Sequence, residues 1–205
     1  MIREETTDLI KQLTLKALTG EGDSDKHLLS LLSICLSLDA KNIVELGVRE
    51  GSSTLPLLLA ARLNDGNLTS VDVNATSFNP PDFLRKNWKF IKSDAISYLE
   101  NLKNDELIDV IFVDDWHAYD HVKRELELLD SHVNSRSVII LHDLMYGYWD
   151  PHYHCDLAVK EGQWANGGPY RAVAELNQNF WEFSTIPSCN GLTILRKKYS
   201  SKYKI

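Results

Sequence analysis

The sequence predicts an α/β fold: a doubly wound, mostly parallel seven-stranded sheet with helices on both faces and a C-terminal antiparallel strand pair. Three observations predict it. Short apolar runs alternate with amphipathic stretches at helical spacing, a glycine or an acid ends the early runs, and two strand-like segments close the chain. Strands that alternate with helices form βαβ units, and such units build parallel sheets.

The strands are predicted from short, buried-looking runs. Residues 107–113 form the clearest of these runs, which leads directly into two acids. The predicted strands lie at 43–46, 68–73, 88–91, 107–113, 137–141, 180–186 and 192–196. The last two segments are read as the closing pair.

Helices are predicted before and between these strands. Ile10, Leu13 and Ala17 recur at helical spacing, and the apolar run LLSLLSICLSL follows Asp23 and Ser24, which are candidate helix caps. Further helices are predicted at 52–63, after Asn79-Pro80-Pro81, at 96–102, along the apolar face of Val122, Leu126, Leu129 and Val133, and at 169–179. The two N-terminal helices either cover a ligand or form a dimer contact, so a homo-oligomer stays open.

Composition and charge limit the classes of partner that the protein is expected to bind. The chain has 205 residues and a net charge of -7, which disfavours nucleic acid because phosphate binding needs a basic surface. A neutral or cationic small molecule fits better. Three widely spaced cysteines fit reduced thiols in a cytoplasmic protein better than disulfides or a zinc site. The start lacks the apolar stretch of a signal peptide, and no run is as long as a membrane span, so no membrane association is expected.

Polar residues follow the ends of the early strands. Gly47, Asp72, Asp114 and the pair His142-Asp143 stand at those positions. In open parallel sheets, ligands bind at the carboxyl ends of the strands. The sequence therefore predicts a binding site along one edge of the sheet.

The loop after the first strand, ELGVREGSST, predicts nucleoside binding. Gly47 and Gly51 permit a sharp turn and a close approach to a ligand. Asp72 stands where a carboxylate can accept hydrogen bonds from both ribose hydroxyls. The loop lacks the G-x-G-x-x-G spacing of dinucleotide sites, and Glu45 would repel a pyrophosphate but suits an ammonium or a sulfonium. A tight strand-to-helix turn that binds nothing is the alternative.

The stretch IFVDDWHAYDHV indicates metal-assisted chemistry. If strands 107–113 and 137–141 are neighbours, Asp114 and Asp143 end roughly 5 Å apart. A hard cation such as Mg²⁺ between the two carboxylates would relieve their repulsion. Trp116 offers a flat face for a purine, and His117 can take a proton near neutral pH. The alternative is that the acids and His117 only cap loops or helices.

These motifs carry a family resemblance. The E-x-G-x-x-x-G loop resembles the first motif of class I S-adenosylmethionine-dependent methyltransferases, which implies a Rossmann-like fold. IDVIFVDDWHAYDHVKRELELL followed by SVIILHDL is similar to the metal-dependent O-methyltransferase branch, which includes catechol O-methyltransferase-like and macrolide-sugar enzymes. The resemblance covers residues 42–143, about half of the chain. It implies methyl transfer to a hydroxyl of a small-molecule acceptor: a sugar, a phenol or another natural product.

The resemblance also implies roles for single residues. S-adenosylmethionine would be bound by Glu45, Gly47, Val48, Gly51, Ser53, Asp72, Ser93, Asp94, Asp114, Asp115 and Trp116. A divalent metal, Mg²⁺ first and Mn²⁺ or another ion second, would be held by Asp114, His142 and Asp143, with His117 as the general base. His142 departs from the pattern, since an acid is common there and an imidazole favours Mn²⁺, Fe²⁺ or Zn²⁺. The metal is therefore softer, or His142 lies behind the ligands, or no metal binds.

The predicted organisation is a single methyltransferase domain over residues 1–205. Its parts are N-terminal helices at 1–39, a cofactor-binding core at 41–143, a substrate lid at 144–170, and a closing helix and strands at 171–198. The lid segment is rich in aromatic residues, which suit flat or sugar-like acceptors, and it also holds two minor metal candidates, His152 and His154. A long loop packed by its own aromatic side chains is the alternative.

Four other functions stay open on the sequence alone. A nicotinamide-dependent oxidoreductase is disfavoured by the glycine spacing. A metal-dependent hydrolase would leave Gly47, Gly51 and Asp72 unexplained. A non-catalytic S-adenosylmethionine-binding domain would keep the cofactor residues without turnover, and nitrogen or carbon could replace oxygen as the methyl acceptor.

Overall fold

The computed structural model describes residues 2–103, 105–145 and 165–198. Its strands are β1 Asn42–Leu46, β2 Asn67–Asp72, β3 Trp88–Lys92, β4 Val110–Val113, β5 Val138–His142, β6 Trp181–Ile186 and β7 Leu192–Lys197. Its α-helices are α1 Ile2–Thr19, α2 Leu28–Ser37, α3 Thr54–Leu63, α4 Asp82–Arg85, α5 Ala95–Glu100, α6 Tyr119–Leu129 and α7 Gly168–Ala174, and short 3-10 turns at Asp25–His27 and Ala165–Gly167 precede α2 and α7. Within the described ranges, none of the helices is long and apolar enough to cross a bilayer.

The strands form one sheet in the order β3-β2-β1-β4-β5-β7-β6. Strands β1 to β5 are parallel, whereas β7 pairs antiparallel with both β5 and β6. The predicted mostly parallel, seven-stranded sheet with an antiparallel closing pair is therefore confirmed. The strand order reverses between β1 and β4, so a crevice forms at their carboxyl ends, where sheets of this kind bind ligands.

Alternation along each strand sends successive side chains into two different helical layers. Ile43 and Phe112 pack with residues of α1, α2 and α3. Their chain neighbours Val44 and Ile111 pack on the opposite face with residues of α5, α6 and α7. Because both faces of the central strands are covered, those strands are read in the sequence as continuous apolar runs.

Some predicted boundaries are corrected by the structure. β4 begins at Val110 rather than at 107, because Leu107 is 50% exposed and its carbonyl oxygen accepts a hydrogen bond from the Asn42 side chain instead of a ladder partner. The last helix ends at Ala174 rather than at 179, since a turn leads from there into β6. The predicted cap of α2 is wrong: α2 follows the 3-10 turn directly, and Ser24 makes no side-chain capping bond.

The N-terminal helices are tied to the loop that follows β1. Lys16 Nζ donates to Ser52 Oγ at 2.8 Å and lies 3.2 Å from Asp25 Oδ1. Arg49 of the same loop lies 3.6 Å from Asp23 Oδ2. These contacts hold the segment between α1 and α2 against the glycine loop, beside the crevice.

Candidate active site

A cavity of about 710 Å³ opens at the carboxyl ends of the parallel strands. The predicted site residues that line it are Gly47, Asp72, Ser93, Asp94, Asp114, Asp115, Trp116, His117 and Asp143. A smaller recess of about 40 Å³ shares Gly47 and Asp114 with this cavity and is also lined by Val48 and Ser53. Three predicted site residues, Glu45, Gly51 and His142, line neither space.

The glycine loop brings two stretches of backbone into close contact. Gly47 has a φ of +87°, and a Cβ at this position would lie 2.2 Å from the carbonyl oxygen of Asp114. Gly51 has a φ of +82°, and a Cβ there would lie 2.3 Å from the Phe78 ring. Side chains are therefore excluded at both positions by backbone conformation and by space. At Gly47, which lines the cavity, the missing side chain makes room for the backbone of Asp114.

Glu45 lies beneath the glycine loop rather than on the cavity wall. Its carboxylate is fully buried and accepts hydrogen bonds from Ser53 at 2.7 Å, from Thr54 at 2.8 Å and from Ser70 at 2.6 Å. Burial raises the pKa of Glu45 to about 7, against the opposing effect of these hydroxyl donors. The side chain thus fastens β1 and β2 to the start of α3, and its direct contact with a cationic ligand stays a prediction.

Asp72, the last residue of β2, orders the same loop from the cavity side. Its Oδ2 accepts hydrogen bonds from Val48 N at 2.9 Å and Arg49 N at 3.2 Å, and its Oδ1 accepts one from Asn74 N at 2.8 Å. Each carboxylate oxygen has two lone pairs, so Oδ2 already accepts two hydrogen bonds and Oδ1 can accept one more from a ligand. Asp72 therefore stands where the sequence predicts it, with an additional structural role.

Residues beyond β3 and β4 complete the wall on this side. Asp94 caps α5, with Oδ2 accepting a hydrogen bond from Ser97 N at 2.8 Å, and Ser93 lies next to it on the wall. Trp116 is 45% exposed and presents part of its indole to the cavity. An exposed aromatic ring at the edge of a cavity is well suited to stacking on a flat ligand.

Asp114, His117, His142 and Asp143 form an acid–imidazole cluster at the ends of β4 and β5. His117 Nε2 lies 3.2 Å from Asp114 Oδ1 and 3.4 Å from Asp143 Oδ2. His142 Nδ1 lies 3.3 Å from Asp114 Oδ1 and 2.9 Å from Asp143 Oδ1. Each imidazole therefore bridges the same two carboxylates, and ligand atoms of Asp114, His117 and Asp143 lie within 4.8 Å of one another.

The imidazoles and carboxylates of the cluster shift each other's pKa values. Burial lowers the pKa of His142, but its contacts with Asp114 and Asp143 outweigh burial and raise the pKa to about 11. Burial also lowers the pKa of His117, yet the same two carboxylates raise it above its usual range. For Asp114, burial raises the pKa, and the two imidazoles outweigh that effect and lower it. The two imidazoles thus favour the ionised form of the Asp114 carboxylate.

His142 faces away from the cavity. It continues the phase of Val138 and Ile140, whose side chains face the α1–α3 layer, and it is only 1% exposed. Its ring meets that of His27 edge to face, with centroids 5.6 Å apart. His27 Nε2 in turn lies 2.8 Å from the carbonyl oxygen of Ser188. This placement matches the alternative in which His142 lies behind the metal ligands, and its role as a ligand stays a prediction.

Several residues at the site were not predicted from the sequence. Asp23 and Arg49 line the cavity, and His27 supports His142 from the opposite layer. His121 also lines the cavity and lies 2.9 Å from Asp115 Oδ2. The spacing of His121 and Glu125, four residues apart on one helix, is a signal that could have drawn attention to this second group.

The predicted substrate lid falls largely outside the described residues. Positions 146–164 are not among the described residues. They include His152, His154 and the aromatic residues Tyr146, Tyr148, Trp149, Tyr153 and Trp164. The lid and the two minor metal candidates therefore stay predictions. At its start, Met145 N donates to Asn190 O at 2.7 Å, and Asn190 lines the cavity.

Sequence comparison assigns the core of the chain. Residues 44–144 match the family model described as a methyltransferase domain. Among curated proteins, none matches the chain significantly. The matched range begins in β1 and ends two residues after β5, so it contains the glycine loop, Asp72 and the whole acid–imidazole cluster.

Solved structures share the fold at low sequence identity. The SAH-bound methyltransferase PaMTH1 of Podospora anserina has a TM-score of 0.64 and 14% identity, over 93% of this chain and 87% of that one. The O-methyltransferase TomG from Streptomyces achromogenes, solved with SAM, has a TM-score of 0.63 and 17% identity, over 85% and 81%. CalS11, a TDP-rhamnose 3'-O-methyltransferase of calicheamicin biosynthesis, has a TM-score of 0.59 and 16% identity, over 95% and 93%. At such identities the likeness establishes the fold.

Proposed function

Because residues 44–144 of this chain belong to the methyltransferase-domain family, we propose that the protein transfers the methyl group of S-adenosylmethionine to a hydroxyl oxygen of a small molecule. One observation carries the proposal. A single cavity is lined both by most of the residues predicted to bind the cofactor and by Asp114, His117 and Asp143, three members of the acid–imidazole cluster suited to activating a hydroxyl. The acceptor would be a sugar, a phenol or another natural product.

The end of the cavity at β1, β2 and β3 fits the nucleoside. Gly47 and Asp72 both line this end, and Asp72 Oδ1 keeps a lone pair that would accept a hydrogen bond from a ribose hydroxyl. Asp94 and Trp116 border the space beyond, where a purine would be held between a polar edge and an indole face. The volume of about 710 Å³ is within the usual range of small-molecule sites.

The acid–imidazole cluster fits a divalent cation. Asp114 and Asp143 supply the carboxylate oxygens that Mg²⁺ prefers, and two carboxylates with several waters are a common Mg²⁺ environment. A softer ion such as Mn²⁺ would also engage an imidazole, and His117 is the one within reach in the same cluster. When bound there, a divalent cation lowers the pKa of a coordinated hydroxyl and orients it.

His117 is placed to accept the proton of the acceptor. It lines the cavity, whereas His142 is buried behind the carboxylates, so of these two imidazoles His117 can reach a substrate. For His117 to act as the base its ring must be neutral, and a divalent cation held by Asp114 and Asp143 would favour that form by offsetting the two carboxylates that raise its pKa. The neutral ring would take the hydroxyl proton as the oxygen attacks the methyl carbon, and the carbon–sulfur bond would break with its electron pair left on sulfur. Asp114 and Asp143 stabilise the resulting imidazolium.

Alignment matters more than polarity in this reaction. The sulfonium is positive and the oxygen nucleophile becomes negative, so charge disappears as the transition state forms. A site that holds both reactants in line and excludes water therefore accelerates the transfer. Asp143 lines the cavity and is only 5% exposed, so a reactant held against it would be partly shielded from water.

Structures with the same fold support oxygen as the acceptor atom. TomG and CalS11 are both O-methyltransferases, and the second acts on a sugar attached to a nucleotide. A shared fold supports this chemistry by analogy and does not identify the acceptor. The acid–imidazole cluster is the feature of this chain that favours oxygen, since hydroxyls need activation before they attack.

Two measurements test the proposal together. Calorimetric titration should show binding of S-adenosylmethionine and none of reduced nicotinamide cofactor. Transfer of labelled methyl groups to a panel of catechols and sugar nucleotides should occur, and EDTA should abolish it. Binding of the nicotinamide cofactor alone would refute the proposal, and turnover that persists in EDTA would remove the metal from it.

A further inference from the structure

Asp115, His121 and Glu125, here named the α6 cluster, meet beside the cavity and share no residue with the acid–imidazole cluster. Asp115 follows β4, and His121 and Glu125 lie one turn apart on α6. His121 Nε2 lies 2.9 Å from Asp115 Oδ2 and 3.5 Å from Glu125 Oε1. One ligand atom from each of the three side chains lies within 4.8 Å of the other two.

Glu125 is the member that demands an explanation. Its side chain is 0% exposed, and neither of its carboxylate oxygens has a hydrogen-bond partner in the structure. Asp115 Oδ1 also lacks a hydrogen-bond partner, whereas Asp115 Oδ2 lies within hydrogen-bond distance of the His121 ring. Burying a carboxylate without hydrogen bonds is costly, so buried carboxylates are nearly always hydrogen-bonded, paired or bound to a metal. Three buried carboxylate oxygens of this cluster thus lack a hydrogen-bond partner, and the His121 ring is the cationic group that the structure places beside them.

We propose that Asp115, His121 and Glu125 form a second divalent-cation site, distinct from the acid–imidazole cluster and suited to a borderline ion such as Zn²⁺ or Mn²⁺. The four-residue spacing on α6 places His121 and Glu125 on one helix face, so both donors point the same way. One imidazole and two carboxylates are a donor set that these ions accept readily and that Mg²⁺ does not prefer.

The position of the α6 cluster gives the second cation access to solvent. Asp115 and His121 line the large cavity, whereas Glu125 closes the site from the interior. Three protein ligands with one side facing a cavity leave a coordination position for water or for a ligand in that cavity. The adjacent residues Asp114 and Asp115 thus serve two different sites, one at the sheet edge and one against α6.

The experiment isolates the second site by removing the first. In an Asp114→Asn, Asp143→Asn background, the full chain is stripped with EDTA, passed over a sizing column and titrated with Zn²⁺, and bound metal is measured by mass spectrometry. We expect a single Zn²⁺ to remain bound per chain. Replacing Zn²⁺ by Co²⁺ should give visible d–d absorption bands, which report the coordination geometry without any assay of methyl transfer.

Two variants in that background identify the ligands. Glu125→Gln keeps the shape of the buried side chain and should lower Zn²⁺ affinity at least about 10-fold, the smaller end of what losing even an outer-shell partner costs. His121→Gln should do the same and should also change the Co²⁺ spectrum. Glu127→Gln is the matched control, because this residue lies on the same helix and its side chain is 54% exposed.

The proposal fails if the double-variant background binds no Zn²⁺, which would mean that a proton on the cluster is the only cation it holds. It also fails if Glu125→Gln and His121→Gln both bind Zn²⁺ as tightly as their parent. Circular dichroism and the melting temperature establish that each variant is folded, and the Co²⁺ spectrum of the background protein decides the matter independently of them.

Discussion

His117 Nε2 lies 3.4 Å from Asp143 Oδ2, across the boundary between the loop after β4 and the residue after β5. The contact forms because β4 and β5 are parallel neighbours in register, with Val113 opposite Leu141. The same nitrogen lies 3.2 Å from Asp114 Oδ1. One imidazole therefore spans two carboxylates, and it can serve as a base beside a metal or as a ligand to it.

His117→Gln distinguishes these two roles. If His117 is the base, kcat should fall by about 10²- to 10⁴-fold while the Mg²⁺ concentration that supports half-maximal activity changes little. If His117 is a ligand, metal affinity should fall instead. Steady-state rates measured across a Mg²⁺ titration separate the two. His132→Gln is the control, because His132 is also buried but binds the carbonyl oxygen of Glu106 outside the cavity lining.

Asp143→Asn removes charge at the cluster without straining the backbone. Asp143 has a φ of +63°, a conformation that asparagine adopts more readily than most residues. We expect the variant to fold normally, to lose at least about 10-fold in divalent-metal affinity and to lose most of its EDTA-sensitive activity. Asp39→Asn is the matched control, since Asp39 also has a positive φ, of +49°, but is exposed on the surface. Equal metal binding by the two variants would exclude Asp143 as a ligand.

Gly47→Ala should abolish cofactor binding. The substitution costs about 1–2 kcal/mol for the left-handed conformation and also places a methyl group 2.2 Å from the Asp114 carbonyl oxygen, so the loop must move. Gly167→Ala is the control, because Gly167 has a φ of +92° but a Cβ there would lie 3.1 Å from the Arg171 side chain. Calorimetry with S-adenosylmethionine should show lost binding for the first variant and unchanged binding for the second.

Trp116→Ala should weaken cofactor binding without destabilising the protein. The indole is 45% exposed, so little core packing is lost. Stacking of a base on an aromatic side chain contributes about 1–3 kcal/mol, so the dissociation constant should rise about 5- to 150-fold. Trp116→Phe, which keeps a flat ring, should recover most of the affinity. Equal affinity of the alanine variant and the wild type would exclude Trp116 from the purine side of the cavity.

Glu45→Gln should change how stability depends on pH. The pKa of Glu45 is raised from 4.5 to about 7 by burial, so the folded state favours the protonated carboxyl. Its contribution to stability is fully present below pH 4.5 and is lost as pH rises through about 7. The loss is up to roughly 3 kcal/mol. Urea unfolding should show that the free energy of unfolding falls less between pH 5 and pH 8 for Glu45→Gln than for the wild type. The exposed Glu21→Gln should behave like the wild type.

Much of the fold could be predicted from local patterns. Both faces of β4 and β5 are covered, so these strands are uniformly buried and stand out as apolar runs. Leu107 was wrongly included in β4, since an apolar residue outside the ladder has the same appearance in the sequence. The end of α7 was placed too late for a similar reason: the turn after Ala174 carries no glycine or proline to mark it.

The candidate site was predicted less evenly. Gly47, Asp72, Asp114 and Asp143 follow strand ends, and a parallel sheet brings all such positions to one edge whatever the details of packing. Glu45 and His142 lie within their strands, where alternate residues point to opposite faces. The sequence of a single strand does not show which of its faces packs against the helices and which borders the cavity. The burial of Glu45 and His142 could therefore not be predicted.

The sequence by itself determined the strand-helix alternation, the placement of acids after strands, and hence the edge of the sheet on which the site lies. Only the tertiary structure decided that Glu45 is a buried clamp, that His142 rests on His27, and that Asp115 meets His121 and Glu125. The physical reason is the distance along the chain over which each effect acts. Strand periodicity and turn chemistry act over a few residues, whereas these contacts depend on how distant elements pack across the sheet.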